Sequence, residues 1–357
     1  MWSKIRRLFS SYVFNICLVI GIAALVMYLT LRNNPKDVWA MLRHADVKWI
    51  MILILSVIGI RVLSGYALRE ETRLSYPDYS LFKGVATAFT GGFFNEITPS
   101  ATGGQFAQVI IFRRQGVDLA DSASVLWMDF ILYQVMVVAV DLVLVILKFH
   151  AFFANASHFF LIVLLGFAVN AGVIVIMFAL TKSQRFYHWL TTTGISLGMK
   201  LKLVKDREKT LASLEQQLNR FQKEVDALSK HKGLMAKVCI AHGLRLILYY
   251  SMPVSAAHAL HVSPVNGGFL DALALASYVT MVNAFIPSPG SSGGTEAVFL
   301  LMFSAIYHSS DASAILILWR FMSYYLDMII GAVVFFLAKN IPFRQAHRIT
   351  ETNEVQQ

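Results

Sequence analysis

Apolar residues in this chain come in long unbroken runs rather than in the stripes and alternations of a soluble fold. Val13–Leu31, Trp49–Leu68, Val125–Leu147, Phe159–Leu180 and Ala312–Leu337 are each long enough to cross about 30 Å of hydrocarbon as a helix. Val238–Leu260 is a sixth, less apolar run. The pattern predicts an all-α membrane protein with about six transmembrane helices. Two further stretches, Gly84–Phe112 and Gly268–Tyr307, are apolar but interrupted by Gly, Pro and polar residues. Each is too broken to cross singly and predicts a re-entrant helical hairpin. Between the fourth and fifth runs lies the polar segment 182–236, where Leu211, Leu214, Leu218, Phe221, Val225 and Leu228 recur at alternating steps of three and four. That spacing predicts a cytoplasmic amphipathic helical insertion, lying on the membrane face or docking a partner.

Composition agrees with the runs: 57% of the 357 residues are hydrophobic and only 15% charged, which excludes an ordinary soluble domain. The net charge of +10 changes the picture only through where it falls. With the amino terminus placed in the cytoplasm, most Lys and Arg lie in the segments 4–7, 69–114, 182–236 and 339–348, all on that same side. This is the positive-inside asymmetry, so no nucleic acid binding is expected and both termini are expected in the cytoplasm. The basic start followed by Tyr12–Leu31 resembles a signal peptide, but the apolar run is too long and no small-residue cleavage site follows. It is read as the first span.

Chemistry-bearing motifs of soluble enzymes are missing. Cys17 and Cys239 offer neither a disulfide framework nor metal spacing, and His242, His258 and His261 show no coherent ligand spacing, so no metal and no cofactor is expected. There is no P-loop, and Ser288-Pro-Gly-Ser-Ser-Gly-Gly is not a G-x-S-x-G elbow.

The interrupted stretches carry the informative motif, and they carry it twice. Asn95-Glu-Ile-Thr-Pro99-Ser100 leads to Gly103-Gly104-Gln105, and Asn283-Ala-Phe-Ile-Pro287-Ser288 leads to Gly293-Gly294-Thr295-Glu296. Larger blocks match around them. A run carrying Arg61 precedes the first copy and one carrying Arg245 the second; Asp121…Trp127 and Asp311…Trp319 follow, each continuing to tyrosine at Tyr133 or Tyr324-Tyr325. The order predicts two repeats, about 49–148 and 237–338, within a membrane domain 1–340 that is followed by a cytoplasmic tail, 341–357. Counting spans makes the repeats oppositely oriented, with hairpins entering from opposite faces, the arrangement used for alternating access.

In this reading Arg61 and Arg245 supply charge within the membrane, where ionisable residues are costly and usually functional. Asn95, Pro99, Gly103, Gly104 and Gln105, with Asn283, Pro287, Ser288, Gly293, Gly294 and Thr295, supply polar side chains and the amides of restarting helices, which favour anions. Glu96 and Glu296, with Asp129 and Asp327, neutralise the arginines or carry a coupling proton. Together these fit a phosphate-bearing lipid headgroup. Plainer readings stand beside them: Gly-Gly pairs for close helix packing, Arg320 with Asp327 as a structural pair on one helical face, Asp129 held by Tyr133, and Asp141 and Asp271 solvated near span ends.

At the two motifs the chain resembles the membrane region of the lysylphosphatidylglycerol synthase family. The resemblance rests on Asn95…Pro99…Gly103-Gly104-Gln105 and on Pro287-Ser288-Pro289-Gly290…Gly294-Thr295-Glu296, and extends over most of 10–340. The second motif departs from the commoner Pro-Gly-Gly-Leu-Gly-x-x-Glu form by the inserted Ser291-Ser292. The resemblance implies a flippase-type module in a bacterial cell membrane, moving an anionic or aminoacylated phospholipid between leaflets. It also implies resistance to cationic antimicrobial peptides, since lysylated lipid lowers surface negative charge. Full-length members append a soluble domain that transfers lysine from charged tRNA; this sequence ends at Gln357, shortly after its last apolar run. A lipid transporter is therefore expected rather than an enzyme. The alternatives are a phosphatidylglycerol lysyltransferase and an accessory subunit whose 182–236 helix docks a separate lipid synthase; a homo-oligomer is also open.

Overall fold

The computed structural model describes residues 35–98, 101–156, 166–176, 222–223, 225–283, 291, 293–340 and 345–348. Among these there is no strand, and the architecture is all-α. The runs Val13–Leu31 and most of Phe159–Leu180 and 182–236 lie outside the described residues, as do Pro99, Ser100, Pro287 and Ser288.

A short helix, α1 (Pro35–Arg43), precedes α2 (Val47–Thr72), which Asp46 caps by accepting from the Lys48 amide at 2.8 Å. Then come α3 (Leu81–Ile97), α4 (Gly103–Arg114), α5 (Leu119–Ala156) and α6 (Gly166–Ile176). α7 (Lys232–Ala259), α8 (Phe269–Asn283), α9 (Gly294–Phe303), α10 (Ser309–Arg320) and α11 (Asp327–Asn340) complete the order. A π-helical turn, Phe321–Leu326, joins α10 to α11.

Among the described residues, three helical stretches are long and apolar enough to cross a membrane: Val47–Thr72, Leu119–Lys148 and Ser309–Ala338. They are the expected runs at Trp49, Val125 and Ala312. α7 has 28 residues, roughly 42 Å at the α-helical rise, but its first half carries Lys232, Lys237 and Arg245. Each broken stretch forms a pair of short helices, α3–α4 and α8–α9, divided where Gly and Pro were expected to interrupt.

Packing follows a reciprocal plan. α2 lies most extensively against α7; α3 packs on α2 and α11, while α8 packs on α7 and α5. Each hairpin thus touches the first helix of its own block and the last helix of the other. Small residues allow the close approaches: a Cβ on Gly84 would meet the Gly65 carbonyl of α2, and Ala272, Ala274 and Ala276 of α8 are all buried. Polarity is inverted relative to a soluble protein. Leu55, Val62, Leu142, Ile146, Ile240, Leu244, Val333 and Phe336 are exposed, while Glu71, Glu96, Glu296, Arg320 and Asp327 are buried. A bilayer reconciles the two, covering the outer apolar faces.

Candidate functional site

Charged side chains meet between the hairpins and the last helix. Arg61, midway along α2, reaches α11: its Nε donates to Asp327 Oδ1 and Oδ2 at 2.9 and 3.0 Å, and an Nη also donates to Asp327. The same nitrogen lies 3.5 Å from Glu96 Oε1 at the end of α3. Gly92 makes room for this reach, since a Cβ there would occupy the guanidinium's place. Tyr324 donates to the Glu96 backbone carbonyl at 3.0 Å and lies under Arg320, 4.5 Å from its ring centre.

Arg320 and Asp327 do not pair with each other. Arg320 Nε donates to Glu296 Oε1 at 2.7 Å. The π-helical turn between them is the reason: its i→i+5 winding turns each residue through less than the α-helical angle, so two nominal turns no longer return to one face. Glu296 sits in the first turn of α9, and its Oε2 accepts from the Gly293 amide at 2.6 Å. Stacking of Phe299 on Phe303 and on Trp319, at 4.0 and 4.9 Å, fixes α9 against α10 and so aims Glu296.

Three of the four glycine amides expected to receive an anion, those of Gly103, Gly104 and Gly293, are occupied from within. At the first hairpin Thr98 Oγ1 accepts from Gly103 N at 2.9 Å, and Asn95 Oδ1 accepts from Gly104 N at 3.0 Å. At the second, Glu296 and the Ser291 carbonyl do the same for Gly293 and Thr295. Both helix restarts are self-capped, and Gln105 is exposed. Asn283 ends α8, and Gly294 begins α9.

Arg245 differs from Arg61. It donates to Ser64 Oγ at 2.8 Å and stands 4.0 Å over the Tyr133 ring; among the described residues no carboxylate pairs with it. Arg61, Arg245, Asp327, Tyr133, Tyr249 and Ser323 line one cavity of about 220 Å3. This is below the roughly 300–1,000 Å3 typical of small-molecule pockets. Ser323 Oγ and Glu96 Oε2 are buried and accept or donate no hydrogen bond. Sequence reasoning passed over Ser323 and Gly92; a Ser among aromatic residues and a Gly in a Gly-rich helix carry no distinctive pattern. A second, mainly apolar groove of about 390 Å3 beside the first hairpin is lined by Phe94, Phe106, Ile110 and Phe335, and also by Arg114.

Other expectations change. Asp129 contacts His242 Nε2 at 3.1 Å rather than Tyr133. Asp141 is fully buried, not solvated, because Tyr250 of α7 donates to it at 2.8 Å. Asp271 is half-buried and pairs with Lys148 at 3.1 Å.

Apolar outer faces, buried ion pairs and interrupted helices define an all-α membrane protein. Residues 16–331 match the model of the lysylphosphatidylglycerol synthase TM region, and the chain belongs to that family. It is 22% identical over 334 residues to a UPF0104 membrane protein of Archaeoglobus fulgidus, covering 88% of this chain and 93% of that protein. The family's description ties it to lipid metabolism at the membrane.

Proposed function

We propose that this protein is a multi-pass lipid flippase of the cell membrane, moving an anionic or aminoacylated phospholipid between leaflets. The observation that carries the reading is the cavity shared by Arg61 and Arg245. One arginine is neutralised by Asp327 and Glu96; the other faces the same space with only neutral partners. An entering phosphate takes up the charge of Arg245 and competes with the carboxylates for Arg61. The apolar groove beside α3 and α4 suits an acyl chain, while the rest of the tail stays in lipid. Six spans with two opposed re-entrant hairpins, both termini cytoplasmic, give the two halves a way to open alternately. The reciprocal packing of the hairpins supports that arrangement.

The test is exchange of head-labelled phosphatidylglycerol in proteoliposomes. Arg245→Gln removes a charge whose partners are neutral, so folding is retained. Loss of one charge-assisted contact costs about 1.5–3 kcal/mol, so exchange falls about tenfold or more. Unchanged exchange in the purified Arg61→Gln/Arg245→Gln double variant overturns the phosphate role. Lysyl lipid formed from charged tRNA by the wild type would replace transport with synthesis.

A further inference from the structure

The charges in and around the cavity balance only while it is empty. Arg61, Arg245 and Arg320 stand against Glu96, Glu296 and Asp327. A phosphodiester headgroup brings a further negative charge into the same water-poor space, where an unpaired ion is costly to bury. One carboxylate must give up its charge, and the three are not equally able to. Glu296 is committed twice, with one oxygen on the Gly293 amide at 2.6 Å and the other on Arg320 at 2.7 Å. Asp327 accepts from Arg61 Nε at 2.9 and 3.0 Å and from an Nη as well.

Glu96 is held most weakly. It is 8% exposed, and its Oε1 stands 3.5 Å from the same Arg61 nitrogen that serves Asp327, outside the roughly 2.7–3.2 Å of an ordinary hydrogen bond. Its Oε2 is buried with no hydrogen-bond partner. The hairpin does not need this carboxylate. Asn95 and Thr98 cap α4, and Tyr324 donates to the Glu96 backbone carbonyl rather than to its side chain. A headgroup that takes Arg61 therefore leaves Glu96 without its guanidinium. The other neighbours do not replace it. Arg320 of α10 is bound to Glu296, and Tyr324, Tyr249 of α7 and Tyr133 of α5 carry no positive charge. Behind Tyr133, Asp129 is met by His242 at 3.1 Å, and α8 lines the cavity with Thr280. A buried carboxylate that has lost its cation is neutralised by a proton.

We propose that headgroup binding is coupled to protonation of Glu96, so that an anionic lipid and a proton cross together. The proposal rests on the transport reading and adds the regulation of the same site. In the step itself a hydronium ion gives its proton to Glu96 Oε2, forming an O–H bond and leaving water. The Arg61 guanidinium passes from carboxylate to phosphate oxygen, and no electron changes hands. When the anion leaves, Arg61 returns to Glu96 and favours loss of the proton. A pH gradient then drives the lipid toward the alkaline side. Coupling is reciprocal: if the anion favours the proton, the proton favours the anion.

Calorimetric titration of the purified full chain, in buffers of differing protonation enthalpy, counts protons taken up per anion bound. The probes are short-chain phosphatidylglycerol and its chain-free headgroup diester, glycerophosphoglycerol. With the lipid, the wild type is expected to take up about one proton and to bind up to about tenfold tighter for each unit fall in pH. Glu96→Gln is expected to take up none, with affinity flat across the same range. Lipid binding without proton uptake in the wild type overturns the coupling and leaves the headgroup site standing. Uptake retained in Glu96→Gln overturns Glu96 as the acceptor. Binding of the chain-free diester but not of the lipid, or of neither, overturns the lipid reading on which the coupling rests. Infrared difference spectra of the wild type, lipid-bound minus lipid-free, need no variant: a protonated-carboxyl band is expected to appear on binding, and its absence overturns proton uptake by a carboxylate.

Discussion

The two hairpins answer one physical demand, an interrupted helix among apolar neighbours, in different ways. In α3–α4 the neutral side chains of Asn95 and Thr98 accept from the restarting amides, and Glu96 is left for Arg61. In α8–α9 a single carboxylate does both jobs: Glu296 caps Gly293 with one oxygen and holds Arg320 with the other. Capping and charge are separate in the first hairpin and fused in the second. A ligand that competes for Arg61 can therefore displace a carboxylate without uncapping a helix. One that competed for Arg320 would loosen α9 as well. Exchange of ion-pair partners would thus disturb the first hairpin less than the second.

The largest expected effect tests that division. Glu296→Gln keeps the shape but removes the carboxylate to which Arg320 Nε donates and weakens the cap, so it destabilises by about 3–5 kcal/mol. Glu96→Gln gives up one 3.5 Å contact while Arg61 keeps Asp327, so it costs about 1 kcal/mol. Thermal unfolding of the two purified variants in detergent measures the gap. Equal shifts would erase the distinction between the hairpins.

Much of the first-order fold was legible because hydrocarbon thickness imposes length. Trp49–Leu68, Val125–Leu147 and Ala312–Leu337 are helical for the reason their runs announce, and the chain breaks at the Gly- and Pro-bearing motifs. The chain also belongs to the family its motifs resemble. What could not be read was partnership. Arg320 with Asp327 looked like a pair because α-helical spacing was assumed through a stretch that winds as a π-helix. Asp141 looked solvated because hydropathy registers its charge and its place near the end of an apolar run but not Tyr250, more than a hundred residues away. Glu71 and His242 drew no functional reading, since only packing of three helices shows that neither is satisfied.

Glycine substitutions sharpen the comparison at intermediate size. A Cβ on Gly104 would collide with Asn95 Oδ1 and stand 2.6 Å from the Gly91 carbonyl oxygen, so the site is limited by space. Gly293 has nothing within 4 Å of such a Cβ but sits at φ +91°, so it is limited by backbone conformation. Alanine at either position costs about 1–3 kcal/mol, through overpacking in one case and strain in the other. Size separates the causes: Gly104→Ser is expected to unfold at lower temperature than Gly104→Ala, whereas Gly293→Ser and Gly293→Ala unfold together. The same size dependence at both sites would mean that the hairpins share one constraint.

The smallest expected effect concerns how the bases of the hairpins are tied. The second is held at Asp271, which accepts from the Gly268 amide at 2.8 Å and pairs with Lys148 of α5. The first is held by residues 345–348. Ala346 donates to the Gln115 carbonyl at 2.8 Å, Arg348 approaches Asp121 at 3.5 Å, and His347 donates its amide to Asp78 at 3.1 Å. Slight burial raises the Asp78 carboxyl, but the His347 amide and ring outweigh it and hold the group below its ordinary value. A lowered carboxyl favours the docked tail above the ordinary carboxylate range, and this contribution is lost as pH falls through the lowered value. Hydrogen exchange at Ala346 and His347, corrected for the intrinsic pH dependence of exchange, is therefore expected to lose protection on acidification in the wild type. In Asp78→Asn protection is weaker and flat across the same interval. Gly268, whose amide is served by Asp271 of the other hairpin, provides the internal reference. Equal acid loss of protection at both bases would show general unfolding in place of a tail released from the first hairpin alone.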